Sequence, residues 1–171
     1  MINFDHKRIE EAYSEINSKV VKTPLITNDY INKLTDNNIY FKLENFQITG
    51  SFKYRGALYK IINLSKKSKK NGVIAYSSGN HAQAVAYASK LNNINAKIIM
   101  PNNAPKIKIN NTKKYGANVV FYNPEKESRE IIGETLAKKE NRTLIKPYDD
   151  YEVMSGQGTA GLEIASQLNE F

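Results

Sequence analysis

The chain has 171 residues, 40% hydrophobic and 25% charged, enough for one ordinary domain or two small lobes around a sizeable core. It contains no cysteine, which excludes disulfides and thiolate metal sites, and no apolar run approaches membrane-spanning length. The formal net charge is +8, but the densest basic run, Lys66-Lys67-Ser68-Lys69-Lys70, has no interleaved aromatics and reads as a solvated loop, not a nucleic-acid surface.

An amphipathic opening over residues 4–16 reads as a helix with Phe4, Ile9, Ala12, Tyr13 and Ile16 inward, and Thr23-Pro24-Leu25 breaks it. A short β-like run, Ile39-Tyr40-Phe41-Lys42-Leu43-Glu44, leads into Gly50-Ser51-Phe52-Lys53-Tyr54-Arg55-Gly56-Ala57. There Gly50 relaxes the turn, Ser51 caps a helix, and apolar residues through Leu64 fit one face of it. A lysine held at such a helix start and partly desolvated can lose its proton and attack a carbonyl to form a Schiff base. On this segment alone, Lys53 and Arg55 read first as two surface cations on a helix, and only the rest of the chain tips the balance.

Beyond the basic run come strand 73–76, an alanine-rich helix over 81–91 and strand 96–100, ended by Pro101. A helix over 105–115 is closed by Gly116, where a helix C-terminus favours glycine. Strand 118–122, helix 125–140 and strand 143–145 complete the alternation, and 149–171 reads as loop and helix. Strands alternating with helices of this length predict an α/β fold with a parallel, helix-covered sheet. Right-handed crossovers then line the strand-to-helix loops along one sheet edge, where such sheets bind ligands.

Ser77-Ser78-Gly79-Asn80-His81-Ala82-Gln83 falls on that edge. Its small residues let backbone N–H groups approach an anion, and the helix dipole favours a carboxylate or phosphate there. Gly156-Gln157-Gly158-Thr159-Ala160-Gly161 satisfies G-x-G-x-x-G, but a polar segment separates it from the last strand. It is therefore read as close helix packing and not as a dinucleotide site. His6 reads as a surface residue, and Asp149-Asp150 as favouring the start of the last helix. His81 could touch a ligand, but no constellation supports a triad or a metal site.

Taken together, these segments resemble the serine/threonine dehydratase and serine racemase family of fold type II pyridoxal-phosphate enzymes, which are tryptophan synthase β-like. The resemblance runs from Lys22-Thr23-Pro24-Leu25 to the chain end. It includes Lys42-Leu43-Glu44-Asn45-Phe46-Gln47, Gly50 to Ala57, Ser77 to Gln83, Met100-Pro101 with Ala104-Pro105, Tyr115-Gly116-Ala117 and Gln157-Gly158-Thr159. It implies a Schiff base between Lys53 and pyridoxal phosphate, with Phe52 beside the cofactor ring and Asn80 on the ring hydroxyl. Ser77, Ser78, Asn80 and His81 would hold the substrate carboxylate. Lys53 would remove the Cα proton of L-threonine or L-serine, and loss of the β-hydroxyl would yield a 2-oxo acid and ammonia.

Racemase members add an acid/base on the opposite substrate face, and the matching residue is Ser78, which does not by itself decide between elimination and racemisation. Glu127-Ser128-Arg129-Glu130 resembles a racemase-branch segment whose arginine approaches the substrate carboxylate; Arg129 reads equally as a surface helix residue. Family members are nearly twice this long. The resemblance therefore implies an N-terminal half with a complete small lobe (66–147) inserted into an incomplete large lobe (1–65 and 148–171). The glycine loop around the cofactor phosphate and any divalent-cation site would lie in a complementary C-terminal half. The expectation is a cytoplasmic protein acting on a small amino acid, a homo-oligomer at full length, with a non-catalytic fragment or split subunit as the alternative.

Overall fold

Strand–helix alternation is what the chain adopts in a computed structural model that describes residues 5–168. Helix α1 (Lys7–Ile16) precedes strand β1 (Leu25–Thr27), helix α2 (Asp29–Thr35) and strand β2 (Tyr40–Lys42). Then come α3 (Lys53–Ile62), α4 (Lys66–Asn71), β3 (Val73–Tyr76), α5 (Asn80–Leu91), β4 (Ala96–Pro101) and α6 (Lys106–Lys114). The chain continues through β5 (Asn118–Tyr122), α7 (Arg129–Lys139), β6 (Thr143–Leu144) and α8 (Tyr151–Leu168). β1 and β2 form an antiparallel pair, Leu25 opposite Lys42. β3 to β6 form a four-stranded sheet in the order β5-β4-β3-β6, parallel at every pairing.

That order creates a reversal. From β3 the chain moves outward through β4 and β5, and β6 then returns to the other side of β3. Loops leaving β3 and β6 diverge at their C-terminal ends, and such a switch point opens a crevice for ligands. All four residues of β3 are buried, as expected of a parallel strand covered on both faces.

Several local expectations are corrected. β1 and α2 add structure between the first helix and residue 40; α2 is capped by Asn28, whose Oδ1 accepts from the Ile31 N–H at 3.0 Å. The basic run is not a loop but α4, because Ser65 Oγ caps it through the Ser68 N–H at 3.1 Å and Gly72 ends it at φ 87°. α7 starts at Arg129, where Ser128 supplies the cap, and not at residue 125. In α1, Ala12 and Ile16 are fully buried and Ile9 and Tyr13 partly so, while Phe4 lies outside the described residues. Gly116 does close α6, at φ 86°.

The G-x-G-x-x-G segment lies inside α8 and is a packing surface. A Cβ on Gly156 would sit 2.6 Å from the Arg55 carbonyl oxygen, and one on Gly56 would sit 2.6 Å from that of Val153. The α3 and α8 backbones thus approach each other through glycine on both sides. Gly156→Ala is expected to lower stability by about 1–3 kcal/mol, read as a shifted urea midpoint, because backbone cannot yield as a flexible side chain would. Gly161→Ala, whose Cβ would meet nothing within 4 Å, should be neutral or better.

Beside this packing surface lies a buried ion network. The Arg55 guanidinium, 0% exposed, makes two bonds to Glu44 (2.9 and 2.8 Å) and two to Glu163 (both 2.8 Å). Lys42 Nζ donates to Glu163 Oε2 at 2.6 Å and to the Thr23 carbonyl at 2.8 Å. Thr23 Oγ1 donates to Glu44 Oε1 at 2.7 Å. Two cations and two carboxylates thereby tie β2, α3 and α8 together.

Candidate active site

Lys53 opens α3. Gly50 turns the chain at φ 73°, its N–H donating to the Gln47 carbonyl at 2.7 Å. The expected cap does not form: the residue before the helix is Phe52, no side chain caps it, and Ser51 Oγ is buried without a hydrogen-bond partner. An uncapped N-terminus leaves its positive dipole end beside the lysine. Lys53 Nζ donates to the Pro147 carbonyl at 2.8 Å and lies 3.5 Å from Gln157 Oε1. Burial pushes its pKa below the ordinary lysine value, since desolvation penalises the charged form. The Phe52 ring is 40% exposed, its centroid 5.1 Å from Nζ.

The second element is the loop from β3 into α5. Ser77 continues the sheet pairing, its N–H donating to the Ile99 carbonyl at 3.0 Å, and its Oγ accepts from the Gly79 N–H at 3.1 Å. No side chain caps α5 at Gly79, and a Cβ there would meet nothing within 4 Å. First-turn N–H groups of such a helix have no intrahelical acceptor and converge on the open loop. Ser78 and Asn80 are exposed there, and Asn80 Oδ1 accepts from Lys108 Nζ at 2.7 Å.

His81 behaves differently. Its imidazole is 3% exposed and turned inward, Nε2–H donating to the Ile145 carbonyl at 3.1 Å, while Nδ1 has no partner. What it offers the loop is its backbone N–H. Burial, only partly offset by the bond to Ile145, lowers its pKa to about 4. Because this value lies below the unfolded one, the neutral ring stabilises the fold above about pH 6.5, and that stability is lost as pH falls toward 4. Urea midpoints should therefore drop as pH falls from 7 to 4, by an energy on the order of 3 kcal/mol at the acid end. His81→Gln should flatten that slope; an unchanged slope would show that another group is responsible.

The segment after β6 joins the two elements. The Ile145 carbonyl holds His81 at the head of α5, and two residues later the Pro147 carbonyl holds Lys53 at the head of α3. Both anchors sit at the switch point. Asp150, just beyond, caps α8 with Oδ1 on the Glu152 and Val153 N–H groups at 3.0 and 3.1 Å. Arg129 lies on the same edge. Its guanidinium carbon stands 5.4 Å from the Tyr76 ring centroid, and its Nε donates to Glu130 Oε1 at 2.7 Å. α7 comes that close because Gly133 faces Tyr76, where a Cβ would fall 2.8 Å from Cδ1. His6 is surface-exposed, and no cluster of metal-ligating side chains occurs among the described residues.

Three contacts at the site carry no signal in the sequence. The Pro147 carbonyl is backbone and independent of residue type. Gln157 belongs to a segment that signals helix packing and the family resemblance, but nothing in it announces a place beside Lys53. Lys108 is one of many lysines, and only its place against α5 distinguishes it.

The same fold and motifs occur in known proteins. A family model described as pyridoxal-phosphate dependent enzyme matches residues 16–171. The catabolic L-threonine dehydratase TdcB of Staphylococcus aureus is 48% identical over 161 residues, covering 94% of this chain and 46% of that protein. L-threo-3-hydroxyaspartate ammonia-lyase of Saccharomyces cerevisiae is 44% identical over 160 residues, covering 94% of this chain and 49% of that protein. Among solved structures, serine racemase from Dictyostelium discoideum superposes with a TM-score of 0.86 at 42% identity, covering 95% of this chain and 53% of that one. The chain spans about half the length of the curated relatives it matches.

Proposed function

The chain belongs to the pyridoxal-phosphate dependent enzyme family, and we propose that it carries the lysine and carboxylate-binding half of an ammonia-lyase acting on L-threonine or L-serine. The observation that carries this reading is the half-buried Lys53 amine, held on the Pro147 carbonyl at the sheet's switch point beside the uncapped α5 N-terminus.

The residues fit the cofactor. Lys53 offers an amine whose proton is already loosened, Phe52 an exposed ring beside it, and Asn80 a carboxamide on the loop. Buried hydroxyls of Thr49 and Ser51, close before Lys53, have no hydrogen-bond partner, as expected of a segment built around a further group. When bound, pyridoxal phosphate withdraws electrons from the substrate Cα–H bond. Ser77, Ser78 and the N–H groups of Asn80 and His81 hold the substrate carboxylate, and Arg129 adds positive charge on the same edge. Lys53 Nζ would take the Cα proton and return it to the β-hydroxyl, which departs as water, and hydrolysis of the resulting unsaturated amine would give a 2-oxo acid and ammonia.

Residues 66–147, which contain the whole parallel sheet, form one lobe in this reading. Residues 1–65 and 148–171, where α1 and α3 pack on α8, belong to the other. The groups that hold the cofactor phosphate, and any divalent cation, come from a complementary half outside this chain. Among the described residues no helix is long and apolar enough to cross a membrane, and a cytoplasmic enzyme is proposed. A second reading, racemisation, rests on the exposed Ser78 as proton donor to the opposite face and on the likeness to serine racemase.

Incubation with pyridoxal phosphate and L-serine or L-threonine tests the proposal. Ammonia and a 2-oxo acid in equal amounts support elimination, D-serine without ammonia supports racemisation, and neither product with cofactor bound contradicts both for this chain alone.

A further inference from the structure

Asn80 is ambiguous as a recognition residue, because a carboxamide can present either its oxygen or its NH2 to a ligand. The surroundings remove the ambiguity. Lys108 Nζ lies 2.7 Å from Asn80, and an ammonium has donors only, so the atom facing it must be the carboxamide oxygen. With Oδ1 engaged, what Asn80 retains for a ligand is its two Nδ2 hydrogens.

The Lys108–Asn80 bond belongs to a seam. One helical turn further along both helices, Asn111 Nδ2 donates to Gln83 Oε1 at 3.0 Å. Lys108 and Asn111 on α6 therefore face Asn80 and Gln83 on α5 with the same spacing. α6 is fixed in turn by Ile109, packed against the core, and by buried Thr112, whose Oγ1 donates to the Lys108 carbonyl at 2.8 Å.

We propose that Lys108 is a positioning residue, whose ammonium locks the Asn80 carboxamide as a hydrogen-bond donor and so selects an anionic acceptor on the ligand. This rests on the functional reading above in placing Asn80 against the cofactor, where the acceptor is the deprotonated ring hydroxyl. A neutral hydroxyl needing an acceptor would have to share Oδ1 with the Lys108 ammonium. Lys108 itself need not touch the ligand.

Two measurements test this, and they fail separately. In the chain without cofactor, the Asn80 side-chain NH2 should give ordered, non-averaged nitrogen–proton NMR signals. These should persist in Lys108→Arg and collapse toward averaged values in Lys108→Met, with the melting temperature little changed. Averaged signals already in the wild type would overturn the proposal without reference to any cofactor.

In a pyridoxal-phosphate titration followed by the visible absorbance of the lysine-bound cofactor, Lys108→Met should weaken binding about tenfold. Lys108→Arg should restore most of it, and Lys108→Met on an Asn80→Ala background should add nothing further. An equal loss on both backgrounds would mean that Lys108 acts through its charge alone, which overturns the positioning role. Absorbance surviving Lys53→Ala, or absent from the wild type, defeats the functional reading and the proposed use of Asn80 with it. The NMR signals still decide whether the clasp exists.

Discussion

Lys53→Ala is expected to abolish both attachment of pyridoxal phosphate and turnover, lowering any activity by about 10²–10⁴-fold or more. In the proposed mechanism two separate roles fall on one nitrogen: it would join the cofactor and carry the Cα proton. Its surroundings suit both. Burial depresses its pKa, the uncapped α3 N-terminus disfavours a cation, and the Pro147 carbonyl at 2.8 Å fixes the amine in place. Lys53→Arg keeps the charge but cannot give up a proton, so it should be as inactive as alanine. Both variants should fold, since each breaks little more than one hydrogen bond to a carbonyl at a half-buried position. Retained absorbance of bound cofactor in Lys53→Ala would move the chemistry elsewhere.

Arg55→Met is expected to give the largest loss of stability, about 3–5 kcal/mol, because it takes four hydrogen bonds from two carboxylates, leaving Glu163 only Lys42 and half-buried Glu44 only the Thr23 hydroxyl. Burial works against the Arg55 charge, but hydrogen bonds to Glu44 and Glu163 outweigh it and raise its pKa. Burial likewise pushes the Glu44 carboxyl up, while hydrogen bonds from Arg55 and Thr23 hold it below the usual carboxylate value. A depressed carboxylate contributes stability that is full above its unfolded pKa, near 4.5, and is lost as pH falls through the lower folded value. Acid unfolding followed by circular dichroism, apt for a chain without tryptophan, should thus show a steep loss below pH 4.5 in the wild type and a shallower one in Arg55→Met. Glu163→Gln should cost less, since Arg55 keeps both bonds to Glu44 and Lys42 keeps the Thr23 carbonyl. Equal stability of Arg55→Met and wild type would mean that the network contributes little beyond packing.

Much of this architecture is written in local sequence signals. Strand 73–76 is a buried apolar run and strand 96–101 is apolar but for Lys97, Gly116 stands where its helix must stop, and Gly50 where the chain must turn at positive φ. The loop 77–80 can be placed at a ligand-binding edge because alternation alone implies a parallel sheet. Long-range pairing is less legible. Nothing near Arg55 announces that its partners are Glu44 and Glu163, the latter 108 residues away. β1 and α2 are too short for periodicity to show, and charge conceals the cap that turns residues 66–71 into a helix.

At the site, residue types point to Lys53 and the serine–asparagine loop. Their being brought together depends on the Ile145 and Pro147 carbonyls, which side-chain chemistry cannot reveal. His81 looks available from its position beside Asn80. Its ring is instead spent on fastening the loop to the strand end. Ser51 has the residue type of a cap, yet its hydroxyl is left unpartnered while the helix start stays open beside the lysine.

Burial at the head of α3 lowers the pKa of Lys53 in a lysine-rich chain, and the proposed function requires that this amine react first. Pyridoxal phosphate added in substoichiometric amount, trapped by borohydride reduction and mapped by peptide mass spectrometry, reads this out. One dominant adduct is expected, on Lys53, suppressed by prior addition of L-serine. Adducts spread over surface lysines such as those of residues 66–70, with none enriched on Lys53, would refute that assignment.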